Sequence, residues 1–265
     1  MSNTGTILDE IIEAKRAELA RHKAALSQAA IEEQVKTAPF PLNLSGALWG
    51  DRVRLIAECK KASPSKGLFT PNYDPVAMAM TYAENGAAAI SVLTEGNYFH
   101  GNLEHLRAVK AAVGPMGVPV LRKDFLFDPY QLYEARANGA DAALLIVAAL
   151  EENQLREMLA VAQSIWLQAL VEVHSEQELE TALRCGAEII GINHRDLKTF
   201  KIEMSLSLKL RPLVPPGRLI VAESGMSSAA DVLPLKQAGV NAILVGEAVM
   251  TARDPAAKVR ELSSV

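Results

Sequence analysis

The chain has 265 residues, 49% of them hydrophobic and 22% charged, with a formal net charge of -4. This is the balance of a globular protein with ample core, and with no basic run it excludes nucleic acid as the principal partner while leaving room for a local anion site. No apolar segment approaches the roughly 20 residues of a membrane span, and Met1-Ser-Asn-Thr-Gly-Thr-Ile-Leu-Asp-Glu10 turns acidic where a secretory peptide would be apolar, so a cytoplasmic protein is expected.

Residues 6 to 35 carry an amphipathic helical pattern (Ile7, Leu8, Ile11, Ile12, Leu19), too long for a loop. Eight apolar runs then follow, each stopped by a charged or amide residue or a glycine. They are Leu55-Ile-Ala-Glu58, Ile90-Ser-Val-Leu93, Val118-Pro-Val-Leu-Arg-Lys123 and Ala143-Leu-Leu-Ile-Val147 in the first half. Leu167-Gln-Ala-Leu-Val-Glu172, Ile189-Ile-Gly-Ile-Asn193, Leu219-Ile-Val-Ala-Glu223 and Ala242-Ile-Leu-Val-Gly246 complete the set. Continuous Val, Ile and Leu suits strands buried on both faces, as in a parallel sheet covered by helices.

Between the runs the same junction recurs: a helical segment ends in Asn85-Gly86-Ala87, Asn138-Gly139-Ala140, Cys185-Gly186-Ala187 or Ala238-Gly239-Val240 and enters a strand at once. Glycine just past a helix takes the left-handed conformation that closes the last carbonyls. Asp74-Pro75, Asp128-Pro129 and Asp254-Pro255 supply the opposite signal, a capping carboxylate followed by proline at the first helical position. Eight such β-then-α units predict a closed (β/α)8 TIM barrel of α/β class, with a doubly wound open sheet as the alternative. One barrel domain is expected over residues 1–265, with 1–50 as an N-terminal helical extension packed over its mouth or bottom. Cys59 and Cys185 are too few and too unpatterned for a disulfide framework or a zinc site.

Side chains alternate along a strand, so Glu58 and Lys60 face the barrel interior together while Cys59 faces the helices as a small buried hydrophobe. Lys123, Glu172, Asn193, Arg195 and Glu223 close later strands and project into the same mouth. Two lysines, three glutamates and an arginine in one bowl must perturb one another's ionisation. A crowded ammonium with a depressed pKa would serve as general acid and a screened glutamate with a raised pKa as base. After strands seven and eight, Ser224, Gly225 and Gly246 fit the two loops where barrels hold phosphate on backbone N–H groups. Glu247 is discordant there, unless its backbone donates while its carboxylate turns outward.

These residues resemble indole-3-glycerol phosphate synthase of tryptophan biosynthesis over nearly the whole chain. Ile56-Ala-Glu-Cys-Lys-Lys-Ala-Ser-Pro-Ser-Lys-Gly67 is similar to the family's signature after strand one. Leu121-Arg-Lys-Asp-Phe125, Leu170-Val-Glu-Val-His174, Gly191-Ile-Asn-His-Arg-Asp-Leu197 and Ala222-Glu-Ser-Gly-Met226 resemble its later motifs in order. The resemblance implies closure of an indole ring, in which 1-(2-carboxyphenylamino)-1-deoxyribulose 5-phosphate loses carbon dioxide and water, without a cofactor or metal. It implies Lys123 as general acid, Glu172 as general base in the dehydration, and Lys60 as holder of the substrate carboxylate that shares in acid catalysis. Glu58, Asn193 and Glu223 would position the lysines and substrate hydroxyls. Ser63, Ser224, Gly225, Gly246 and the backbone of Glu247 would contact phosphate, Arg195 the anionic substrate, and Phe125, Leu144 and Leu197 the aromatic ring.

Three other readings compete. Cys59 suggests a phosphoribosylanthranilate isomerase, which uses a strand-one cysteine and a strand-six aspartate, but the parity of Cys59 with Ala57 and the Asn193 end of strand six count against it. Lys60 or Lys123 forming an imine would make an aldolase. A non-enzymatic sensor would use the mouth for recognition alone, though binding one phosphate requires fewer charged groups. The expected partner is a phosphorylated small molecule, with neither nucleic acid nor membrane, for a monomer or weak homo-oligomer.

Overall fold

The computed structural model describes residues 7–64, 66–70, 72–197 and 199–265. The eight apolar runs form eight strands: β1 (Arg54–Cys59), β2 (Ala89–Leu93), β3 (Val120–Lys123), β4 (Ala142–Ile146), β5 (Gln168–Val173), β6 (Ile189–Asn193), β7 (Leu219–Glu223) and β8 (Ala242–Val245). All pair in parallel with their sequence neighbours, and β1 also pairs with β8, so the sheet closes and the open-sheet alternative falls. Nearly every strand residue is buried, because side chains fill the interior on one face and helices cover the other.

Among the described residues three helices precede the barrel: α1 (Ile7–Ala25), α2 (Gln28–Thr37) and α3 (Leu44–Leu48). The single helical stretch expected over 6 to 35 is broken at Leu26-Ser27. Ser27 adopts an extended backbone and its hydroxyl accepts from the Ala30 N–H, which starts α2 afresh. Among the described residues the strands are followed in turn by α4 (Pro75–Glu84), α5 (Leu103–Val113), α6 (Pro129–Ala137), α7 (Glu152–Ser164), α8 (Glu176–Arg184), α9 (Leu206–Leu210), α10 (Ala229–Gln237) and, after the short α11 (Glu247–Met250), α12 (Pro255–Ser263). Asp74, Asp128 and Asp254 cap α4, α6 and α12 as their Asp-Pro pairs predict. The junction glycines 86, 139, 186 and 239 all have φ between 80° and 106°. Among the described residues no helix is long and apolar enough to cross a membrane.

The extension settles over the mouth. Ile7, Leu8 and Ile11 of α1 line the cavity at the C-terminal ends of the strands. Lys15, on the same buried stripe as Ile11 and Leu19, enters a buried polar cluster. Its ammonium lies 2.9 Å from Asp124, which also meets Arg122 at 3.1 Å. The Thr94 hydroxyl donates to Asp124 at 2.6 Å, and Arg122 reaches Glu134 at 2.9 Å. Such a cluster is tolerable in the interior only because each charge has a partner.

Candidate active site

Strand alternation delivers the chemistry. Glu58 and Lys60 point into the cavity and pair at 2.8 Å. Cys59, fully buried between them in sequence, instead sends its thiol toward the Pro75 carbonyl at 3.8 Å. Burial and the Glu58 charge push that thiol well above its ordinary range, so it is no nucleophile.

Lys123 ends β3, and the barrel register sets Glu172 across from Ile146 and Gly191, and Asn193 across from Glu223. Three strand ends therefore converge at one level. The Lys123 ammonium lies 3.1 Å from Oε2 of Glu172 and 3.3 Å from Oε2 of Glu223. Burial opposes the charge of Lys123, but Glu172, Glu223 and Glu58 outweigh it and hold the pKa above the usual lysine range. This reverses the expected depression. Carboxylates surround this ammonium, whereas the other lysine is tied to Glu58.

The two glutamates diverge. Glu172 is buried, yet Lys123, His174 and a hydrogen bond from Asn193 hold its carboxyl well below the usual range. Among the described residues, Glu223 has only Lys123 against burial and the charge of Glu172, and is pushed up to about 8. The carboxyl with a raised pKa is thus Glu223, not the residue expected to act as base. Asn193 is oriented from its other side: its Oδ1 accepts from the Ser224 hydroxyl at 2.8 Å and from the Arg195 N–H at 3.0 Å.

At the rim, Ser224 and Gly225 have successive positive φ values of 67° and 93°. A side chain at Gly225 would also collide with Met204 and Ile202, so glycine is required there for both backbone and space. Gly246 precedes the first turn of α11, and Ser63 sits in a short hairpin (Ala62–Ser63 with Gly67–Leu68) after β1. The Glu247 carboxylate pairs with Lys66 from that hairpin. Together these groups line a cavity of about 380 Å³, within the range of small-molecule sites. All fifteen candidates named from the sequence face it: Glu58, Lys60, Ser63, Lys123, Phe125, Leu144, Glu172, Asn193, Arg195, Leu197, Glu223, Ser224, Gly225, Gly246 and Glu247.

Other residues there went unread. Phe99 lines the cavity with its ring 6.1 Å from that of Phe125, and the Lys60 ammonium stands 5.5 Å from the Phe69 ring. Loop aromatics have no periodicity to betray them. Lys15 did leave a trace, a charge on an otherwise apolar helical stripe, and His174 stood in a quoted motif without a role. Among the described residues no cluster of His, Cys, Asp and Glu has metal-binding geometry.

The molecule is thus a (β/α)8 barrel with ammonium and carboxylate groups gathered at its catalytic face. A family model described as Indole-3-glycerol phosphate synthase matches residues 8–262. A protein of that name from Dehalococcoides mccartyi is 49% identical over 257 residues, covering 97% of this chain and 99% of its own. Those from a Roseiflexus species and from Mycolicibacterium smegmatis are 49% and 46% identical, covering 97% and 98% of this chain and 98% and 94% of their own. The chain belongs to the indole-3-glycerol phosphate synthase family, decarboxylating lyases of tryptophan biosynthesis. Among solved structures, a thiamine phosphate pyrophosphorylase from Pyrococcus furiosus aligns with a TM-score of 0.62 at 21% identity, over 83% of this chain and 96% of its own. A 3-hexulose-6-phosphate synthase from Salmonella typhimurium gives 0.63 at 13%, over 80% and 97%. At those identities the likeness is one of fold.

Proposed function

We propose that this chain closes the indole ring of 1-(2-carboxyphenylamino)-1-deoxyribulose 5-phosphate, releasing carbon dioxide and water. The observation that carries the reading is Lys123 held between Glu172 and Glu223 on the cavity wall, with the Lys60–Glu58 pair in the same cavity. Attack of the aromatic carbon on the ketone turns its oxygen into a hydroxyl, and Lys123 supplies the proton. The developing alkoxide is basic enough to take it even from an ammonium with a raised pKa. Lys60 holds the substrate carboxylate until it leaves as neutral carbon dioxide and shares in acid catalysis.

Proton donation by Lys123 also prepares the next step. The ammonium that depressed Glu172 becomes neutral, so that carboxylate gains basicity as dehydration calls for a base. Glu58, Asn193 and Glu223 position the lysines and the substrate hydroxyls. Ser63, Ser224, Gly225, Gly246 and the Glu247 backbone receive the phosphate, Arg195 meets the anionic substrate, and Phe125, Leu144 and Leu197 flank the aromatic ring. Work as a monomer or weak homo-oligomer in the cytosol, by one barrel domain over 1–265 with 1–50 as its extension, completes the reading.

The test is indole fluorescence from purified protein given this substrate, with and without a chelator. Turnover that survives the chelator is expected. A folded protein that binds phosphate but turns nothing over would overturn the reading.

A further inference from the structure

His174 follows the last residue of β5 and does not line the cavity, yet it touches the carboxylate assigned as base. Its Nε2 lies 3.2 Å from Oε1 of Glu172, an ion-pair contact, while the other oxygen of that carboxylate meets Lys123. On the far side of the ring, Nδ1 lies 3.2 Å from Oε2 of Glu178, in the first turn of α8. Glu178 is itself fixed: it accepts the His174 backbone N–H at 2.8 Å, and its own N–H donates to the Ser175 hydroxyl at 3.2 Å. Glu172, His174 and Glu178 thus form a line leading out of the cavity, with side chains 2%, 10% and 24% exposed.

An imidazole between two carboxylates favours protons on both nitrogens, since the neutral ring would turn a lone pair on one of them; the contact with Glu172 is an ion pair and not an aligned hydrogen bond. Burial works against that charge, but Glu172 and Glu178 prevail and the pKa is pushed up to about 10. Among the described residues the neighbouring elements bring no rival charge to the ring. The short helix Val147–Ala149 and strands β4 and β6 contribute no titratable side chain, and Glu152 of α7 is engaged by Arg156 and Arg184.

We propose that His174, charged and steadied by Glu178, is a positioning residue for ring closure: it turns Oε2 of Glu172 toward Lys123 and keeps that carboxylate ionised when Lys123 gives up its proton. The proposal deepens the reading of Glu172 as base and rests on it. Glu172 and Glu223 share one ammonium, and Glu223, pushed up to about 8, already holds a proton near neutral pH. Once the ammonium is neutral, that proton could pass between the two buried carboxyl groups. With an imidazolium against Glu172 alone, it stays on Glu223 and the base stays free.

Helix capping would explain the backbone contacts of Glu178 but not the ring. Two variants separate the roles. His174→Asn removes the charge, and Glu178→Gln keeps an amide oxygen for the cap while removing its own. Titration of the Glu172 side-chain carboxyl by carbon NMR, in full-length protein labelled at glutamate and assigned with Glu172→Gln, reads ionisation with no need for turnover. The Glu172 pKa is expected to rise by about one unit or more in His174→Asn and by less in Glu178→Gln. His174→Lys should bring it back toward wild type.

In turnover, the acidic limb of the kcat profile should move up by the same amount in His174→Asn, with KM within about twofold of wild type. An unchanged Glu172 titration in both variants, or a change in KM alone, would overturn the proposal. If wild-type protein turns nothing over while the titration shifts as expected, the assigned reaction fails and the His174 contact stands.

Discussion

Lys15, on a helix outside the barrel, is ion-paired at 2.9 Å with Asp124, the residue after Lys123, and both side chains are essentially excluded from solvent. The extension is therefore fastened to the loop that leaves the catalytic strand, and Ile7, Leu8 and Ile11 of the same helix form part of the cavity wall. Lys15→Met should leave Asp124 short of one cation while Arg122 and Thr94 remain. Breaking a buried pair on one side costs about 3 to 5 kcal/mol, and the surviving partners place this case near the lower end. The urea midpoint should fall accordingly, and KM should rise because the helix that walls the cavity is loosened. An unchanged midpoint would mean that Asp124 is served by Arg122 alone.

Lys123→Ala should give a folded protein without useful turnover. Positioned acid–base groups contribute about a hundred to ten thousand fold each, and among the described residues Lys123 is the ammonium paired with Glu172. Folding should survive because Glu223, already pushed up to about 8, can keep its proton once the Lys123 ammonium is gone. Circular dichroism and single-turnover fluorescence together check this. Loss of fold rather than of rate would assign Lys123 a structural task.

The barrel was legible because burial on both faces leaves no choice of residue: Ile189-Ile-Gly-Ile-Asn193 and Leu219-Ile-Val-Ala-Glu223 announce a strand and its polar end at once. Strand parity then placed Glu58 and Lys60 inside and Cys59 outside. Ionisation was not legible, because it depends on which carboxylate meets which cation across strands. Glu172 and Glu223 look alike in sequence, yet His174 and Asn193 reach one and not the other. The break between α1 and α2 turned on Ser27, a single capping residue inside an amphipathic pattern.

Glu223 makes stability depend on pH in an identifiable window. Its folded pKa, about 8, lies above the ordinary 4.5, so the folded state keeps a proton that the unfolded chain releases. That contribution is full below about pH 4.5 and is lost as pH rises toward 8. Glu172, with a lowered pKa, acts only at more acid pH, and His174 begins to matter near its ordinary 6.5. Between about pH 5 and 6.5 the wild-type protein should therefore lose more stability than Glu223→Gln, which carries no proton to lose. Urea unfolding of both proteins at the two pH values measures the difference. Parallel losses would place the raised pKa elsewhere.

Gly191 in β6 lies across from both Glu172 and Val221, and a methyl group there would overlap the Glu223 carboxylate and crowd Leu170 at 3.3 Å. Its φ is not in the left-handed region, so the demand for glycine comes from space alone. Gly191→Ala must push Glu223 off its present place or shift a packed strand, at a cost of about 1 to 3 kcal/mol for overpacking. The carboxylate is the softer of the two, so it should yield first and draw away from Lys123. Turnover should then fall further than in Glu223→Gln, which keeps the amide in position. Combining Gly191→Ala with Glu223→Ala should restore much of the lost stability, since the collision is gone. If the double variant is no more stable than Gly191→Ala alone, the strain lies in the strand and not in the carboxylate.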